Sequence, residues 1–167
     1  AFGISNIASG DRSFVSGRNN IASGTSSMAI GDGSESKGLQ SVAFGKNTIA
    51  EKDMSFAYGE ECVAKGIASF AGGYQNETQG KYSVAFGSDN MTMYLCESGF
   101  TTGEGNMVYG QYAVAMGYQT TAFSRNEFVI GQYNTGYNPG AAAMTNWRSG
   151  DRLFVIGNGS GVDGAAD

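Results

Sequence analysis

Glycine returns every fourteen residues. Gly3, Gly17, Gly31, Gly45, Gly59, Gly73 and Gly87 keep that interval throughout, and a second series, seven residues out of phase, runs Gly10, Gly24, Gly38, Lys52, Gly66 and Gly80. A fixed period of this kind means a stack of small supersecondary units, each touching only its neighbours. With the first Gly as position 0, position 3 reads Asn6, Asn20, Ser34, Thr48, Cys62, Asn76 and Asn90, and position 5 reads Ala8, Ala22, Ser36, Ala50, Ala64 and Thr78. Positions 10 and 12 echo them as Ser13, Ser27, Ser41, Ser55, Ser69, Ser83 and Val15, Ala29, Ala43, Ala57, Ala71, Ala85. The two-residue step within each half is strand periodicity. Each unit is therefore expected to be two short strands and two turns, with Gly at 0 and 7 and Asn at 3 marking the turns because both tolerate positive φ. A seven-residue half-period also fits a coiled coil. Gly would then recur in every second helical turn, at about 1 kcal/mol each relative to Ala, and the Ser, Val, Phe and Tyr between favour strands.

The same alternation sorts inside from outside. Two strands closed back to back within fourteen residues leave room only for small side chains, so positions 3, 5, 10 and 12 are expected inside. Positions 4 and 6 are mixed (Ile7/Ser9, Glu35/Lys37, Val63/Lys65, Glu77/Gln79) and read as a solvated face. Positions 11 and 13 are Phe14/Ser16, Met28/Ile30, Val42/Phe44, Phe56/Tyr58, Phe70/Gly72 and Val84/Phe86; ten of the twelve are large and apolar, yet they point outward. Such a ladder exceeds the few hundred Å² of contiguous apolar surface a monomer ordinarily exposes. It has to be covered by another chain.

Composition removes several other functions. Gly is 27 of 167 residues, Pro occurs once, and His is absent, so a His-based triad or His-ligated metal cannot form within the chain. Collagen needs Gly at every third position and abundant Pro. The net charge of −5 disfavours nucleic acid and anionic membrane as partners. No apolar run approaches the ~18 residues of a membrane span, so no direct insertion of this segment in a membrane is expected. The chain opens on Ala1 with no secretory leader and reads as a piece of something longer.

The strings Ser41-Val42-Ala43-Phe44-Gly45, Ser83-Val84-Ala85-Phe86-Gly87 and Ser27-Met28-Ala29-Ile30-Gly31 resemble the SVAIG-type repeat of trimeric autotransporter adhesin heads. The resemblance covers roughly residues 2–131. It implies an all-β, left-handed parallel β-roll (a β-solenoid) with 14-residue coils, assembled as a homotrimer with three chains side by side. The trimer-facing role then falls on Phe14, Met28, Ile30, Val42, Phe44, Phe56, Tyr58, Phe70, Val84, Phe86, Val114, Met116, Phe128 and Ile130, in agreement with the burial argument. Arg152-Leu153-Phe154-Val155-Ile156-Gly157-Asn158-Gly159 resembles a segment that follows such rolls in fibre proteins, many of which continue into an endosialidase-type chaperone domain.

The register breaks twice. Gly87 to Gly103 is 16 residues, with the extra pair expected within Tyr94–Thr102; the pattern resumes at Gly110, Gly117 and Gly131, with Ser124 in the second series. Gly131 to Gly157 is 26, a surplus of 12 that maps to Gln132–Ala143. The expected organisation is a β-roll over residues 1–131, followed by an irregular capping loop and a final coil or neck over 132–167. Loops on rigid scaffolds often carry function. Tyr133, Tyr137 and Trp147 are the possible receptor contacts, against the plainer reading that the segment only covers the last coil.

Catalytic constellations are missing. Glu60 and Glu61 are adjacent and diverge, so they do not make an acid pair across a substrate. Gly157-Asn158-Gly159-Ser160-Gly161 lacks the Lys and helix of a phosphate loop. Asn76-Glu77-Thr78 is a glycosylation sequon, but on an inward turn residue. Cys62 and Cys96 lie two coils apart, ~10 Å along the stack at ~4.8 Å per coil, beyond the ~7 Å Cα limit of a disulfide; free thiols are expected. The expectation is a non-enzymatic fibre segment without cofactor or metal, projecting or forming a surface for a host-surface protein or glycan receptor. Its settings are extracellular: an outer-membrane adhesin at the cell surface, or a tail fibre of a virion or phage-like injection machine. A glycan-degrading tailspike is the enzymatic alternative.

Overall fold

The computed structural model describes residues 1–134 and 140–160. It is a parallel β-solenoid of two sheets. Each coil supplies one five-residue strand at positions 11 to 1, such as Phe56–Glu60, and one two-residue strand at positions 4 and 5, such as Val63–Ala64. The long strands stack in sequence order as an eleven-stranded sheet, from Phe2–Ile4 to Phe154–Asn158; the short ones stack as a nine-stranded sheet. Register is kept residue for residue, with Gly45 beside Gly59 and Gly59 beside Gly73. Eleven strands at ~4.8 Å make a rod about 48 Å long.

Positions 3, 5, 10 and 12 line the interior as the alternation requires. Ala29, Ala43, Ala50, Ala57, Ala64 and Ala71 are all inaccessible to solvent, as are Ser41, Thr48 and Asn76. The core is a column of methyl groups, and Ala57→Leu is expected to overpack it by about 1–3 kcal/mol. Glu35→Ala, on the outer strand, is expected within about 0.5 kcal/mol of neutral. Paired thermal melts give the ranking, and a reversed order places the faces the wrong way round.

The turns differ from expectation in two respects. Positive φ falls at positions 0, 2 and 9, where non-glycine residues such as Asn19 (+55°), Ser26 (+55°) and Gln40 (+54°) occupy the left-handed region. Position 7 does not need it: Gly24 has ordinary φ, but a Cβ there would overlap the Gly38 carbonyl of the next coil. Its requirement is close approach. Asn at position 3 likewise works through its side chain. Asn76 Nδ2 donates to Gly72 O (2.8 Å) and to Gly87 O (2.7 Å), while its Oδ1 accepts the Asn90 N–H (2.9 Å) of the next coil. Asn90, Asn106 and Thr120 continue that ladder. Asn76 is fully buried and doubly bonded, so its sequon is shielded by the fold.

At the C-terminal end side chains complete the short sheet. In the preceding coil the Tyr109 and Gly110 N–H groups donate to Ala122 O (2.8 and 3.4 Å). Their counterparts Phe123 and Ser124 donate instead to Glu127 Oε2 (2.7 and 2.8 Å). Met107 N–H donates to Thr120 O; its counterpart Thr121 donates to Asn134 Oδ1 (2.7 Å), and Asn134 Nδ2 returns a bond to Thr121 O (3.0 Å). A carboxylate and an amide thus take the places that backbone groups of the next coil hold elsewhere in the sheet. Exposed edges invite pairing with other chains, and solenoids require caps. Glu127 occupies position 10, where most other coils have Ser; it is fully buried and pairs with Arg152 Nε at 3.2 Å. A short helix, Ala141–Thr145, extends the cap: Arg125 N–H donates to Ala143 O (2.9 Å) and Gln111 N–H to Met144 O (2.8 Å). Trp147 follows this helix. Removing one member of a buried pair costs about 3–5 kcal/mol. Glu127→Ala is expected to lower Tm by at least ~6 °C, with Glu127→Gln losing less because one acceptor oxygen survives. Equal melting of Glu127→Ala and the parent protein contradicts the cap.

Candidate intersubunit face and contact surfaces

Because position 0 is Gly, each long strand presents three outward columns: positions 11, 13 and 1. Position 11 is half-shielded by stacking. Phe56 and Phe70 lie with centroids 4.9 Å apart and planes 7° off parallel, and Phe70 meets Phe86 at 4.7 Å. Position 13 is more open: Phe44 is 43% exposed and stacks on Tyr58 at 5.7 Å. Gly72 interrupts this column, and the Phe70 and Phe86 rings fill its space. Position 1 alternates in sign over four coils, from Arg18 through Asp32 and Lys46 to Glu60. Arg18 forms a bidentate pair with Asp32, and Lys46 Nζ reaches Glu60 Oε1 at 2.6 Å. The Arg18 guanidinium, donating to its carboxylate, holds Asp32 below the usual carboxylate range. The face is thus an apolar band edged by a neutralised charge ladder.

All fourteen residues expected at the intersubunit seam stand on this face: Phe14, Met28, Ile30, Val42, Phe44, Phe56, Tyr58, Phe70, Val84, Phe86, Val114, Met116, Phe128 and Ile130. Sequence reasoning missed its two ends. Phe2 packs on Phe14 (5.9 Å), and Phe128 stacks on Phe154 (5.6 Å), which with Ile156 leaves more than 60% of each side chain open. Phe100 also belongs to the column. The 14-residue step forward from Ile130 breaks at the insertion, which hid Phe154 and Ile156.

Tyr133 packs edge-on against Tyr118 at 5.1 Å, Trp147 is 54% exposed beyond the short helix, and Tyr137 lies outside the described residues. Glu60 and Glu61 point to different partners, Lys46 and Gln75 (2.7 Å). The described residues hold no cluster of three or more His, Cys, Asp or Glu arranged for a metal, and no helix among them is long and apolar enough to cross a membrane.

Both cysteines are buried and free. Burial raises the Cys62 thiol above its ordinary value and pushes Cys96 up to about 12, so Cys96 stays protonated and unreactive at neutral pH. Cys62 holds a position-3 place as a small core residue.

The outer face changes character along the rod. At position 6 it runs Glu51, Lys65, Gln79 and then Met93, Tyr109, Phe123, with Tyr109 stacked on Phe123 at 4.7 Å. The change coincides with the two-residue insertion, and reading the column past Gln79 would have found it.

Residues 22–59, 64–90 and 109–126 match the YadA head domain repeat, in two copies. No curated protein matches the chain.

Proposed function

Because the chain is built on YadA head repeats, the repeat of trimeric autotransporter adhesin heads, we propose that it is an adhesin head segment that assembles as a homotrimer on the bacterial outer surface and carries receptor contacts on its irregular parts. The observation that supports this most is the apolar band of the eleven-stranded sheet, exposed in the single chain at Phe44, Tyr58 and Phe86. Three rolls facing a common axis bury that band and leave the nine-stranded sheet and the turn edges to solvent. The role is non-catalytic and extracellular, with a host-surface protein or glycan as partner. The roll of residues 1–131 supplies length and rigidity, and the segment from residue 132 onward closes it. Tyr133, Tyr137 and Trp147 are proposed as receptor contacts, since aromatic side chains give contact area at low entropic cost.

Light scattering tests the assembly: the 17.4 kDa chain is expected at three times its mass. Trp147→Ala is expected to leave mass and Tm unchanged and to weaken attachment to host cells. A monomer of unchanged fold overturns the adhesin-head reading. Full attachment by the Trp147 variant removes that residue from the contact surface.

A further inference from the structure

The coil between Gly87 and Gly103 places its two extra residues in the turn after the short strand Met91–Thr92. The resulting bulge is pinned from below. The Cys96 N–H donates to Met93 O (2.9 Å), and Ser83 Oγ donates to Cys96 O (3.1 Å). Gly99 holds the position that is Ser in most other coils, and a Cβ there would overlap Cys96 Sγ. The buried thiol thus fills the space that serine leaves, and the pair locks the bulge. Locked in this way, Tyr94 and Leu95 stand 79% and 43% exposed at the rod's turn edge, away from the band assigned to the trimer axis.

Beside them lies a groove of about 620 Å³, within the range of small-molecule sites. Its lining holds Lys52, Lys65 and Lys81 with Glu51 and Glu97, and Glu77 beside it makes the charges even. Lys65 is held by Glu77 (2.7 Å) and Lys52 by Glu51 (3.3 Å), whereas Lys81 has no ion-pair partner among the described residues. Gln79 and Gln111 add amide donors and acceptors. An aromatic ring and a leucine on a fixed support offer an apolar platform, the amides and the Glu97 carboxylate answer hydroxyls, and the Lys81 ammonium is open to a carboxylate. A pyranose ring with an apolar C–H face, a hydroxyl edge and a carboxylate matches all three.

We propose that this groove binds a carboxylate-bearing saccharide, with Tyr94 as the stacking platform and Lys81 as the carboxylate partner; the proposal rests on the adhesive role above. The test is NMR titration of the intact protein with a tetrasaccharide of alternating N-acetylglucosamine and glucuronic acid, beside a neutral N-acetylglucosamine tetramer and inorganic phosphate. The acidic tetrasaccharide is expected to shift amides at residues 79–81 and 93–97. Lys81→Ala and Tyr94→Ala are each expected to weaken it about tenfold, the loss of one charge-assisted or stacking contact, with mass and Tm unchanged. Equal binding of the neutral tetramer, phosphate as the better ligand, or no shift at millimolar saccharide overturns the proposal. So does a Tyr94 variant that dissociates, since the bulge is then an intersubunit contact. A trimer that still attaches to host cells with Lys81→Ala removes the groove and leaves the adhesin head standing. A parent protein that does not trimerise removes the head reading instead.

Discussion

Phe44→Asp is expected to give a folded monomer. The side chain lies in the position-13 column, stacked on Tyr58 and 43% exposed in the single chain, so a carboxylate there is tolerated by one roll in water. In the proposed trimer it is placed three times against the apolar bands of neighbouring chains. Desolvation costs several kcal/mol per unpaired ion, and the cost is incurred three times around the axis, directly against association. Light scattering should fall to the mass of one chain, while the circular dichroism of the strands persists. Retention of the trimer at unchanged Tm contradicts the assignment of this face to the axis.

Gly59→Ala is expected to have the opposite signature and to abolish folding of the coil itself. Gly59 has φ +108°, and a Cβ would overlap the Gly73 carbonyl oxygen of the next coil. The backbone strain alone costs about 1–3 kcal/mol. The overlap cannot relax by a rotamer change, because the obstacle is backbone held in the ladder between Phe56–Glu60 and Phe70–Tyr74. Several kcal/mol of total loss is on the order of the whole stability of a small domain. Gly150→Ala is the control, because nothing lies within 4 Å of a Cβ there. Indistinguishable melting curves for the two variants would mean that close coil stacking does not set the glycine period.

These two outcomes separate two energies. One belongs to the chain closing on itself through small residues, and the other to the proposed trimer, where chains meet through large ones. The adhesin-head reading needs both, since a rod this narrow has a methyl-sized interior and gains its large apolar burial only by assembly.

The sequence by itself determined the coil length, the inward columns of Ala, Ser and Asn, the outward apolar band and the site of the Tyr94–Thr102 insertion. Each of these is written many times over: nine coils repeat the same constraint, and an exception such as Gly72 or Cys62 does not blur it. The roles of the single, unrepeated residues emerge from the folded coil alone. Glu127 reads as one more polar residue until Phe123, Ser124 and Arg152 are seen around it. Asn134 lies 13 residues from the Thr121 backbone it completes. Cys96 and Gly99 trade a thiol for a missing hydroxymethyl group only when the coil is closed. The helix Ala141–Thr145 covers Gln111 and Arg125, which are far from it in sequence. The physical reason is the difference between periodic and singular contacts. A stacked coil meets its copy at a constant offset of fourteen residues, so its partners can be found by counting. A cap or a bulge meets whatever the closed chain brings near, and no count along the sequence supplies that distance.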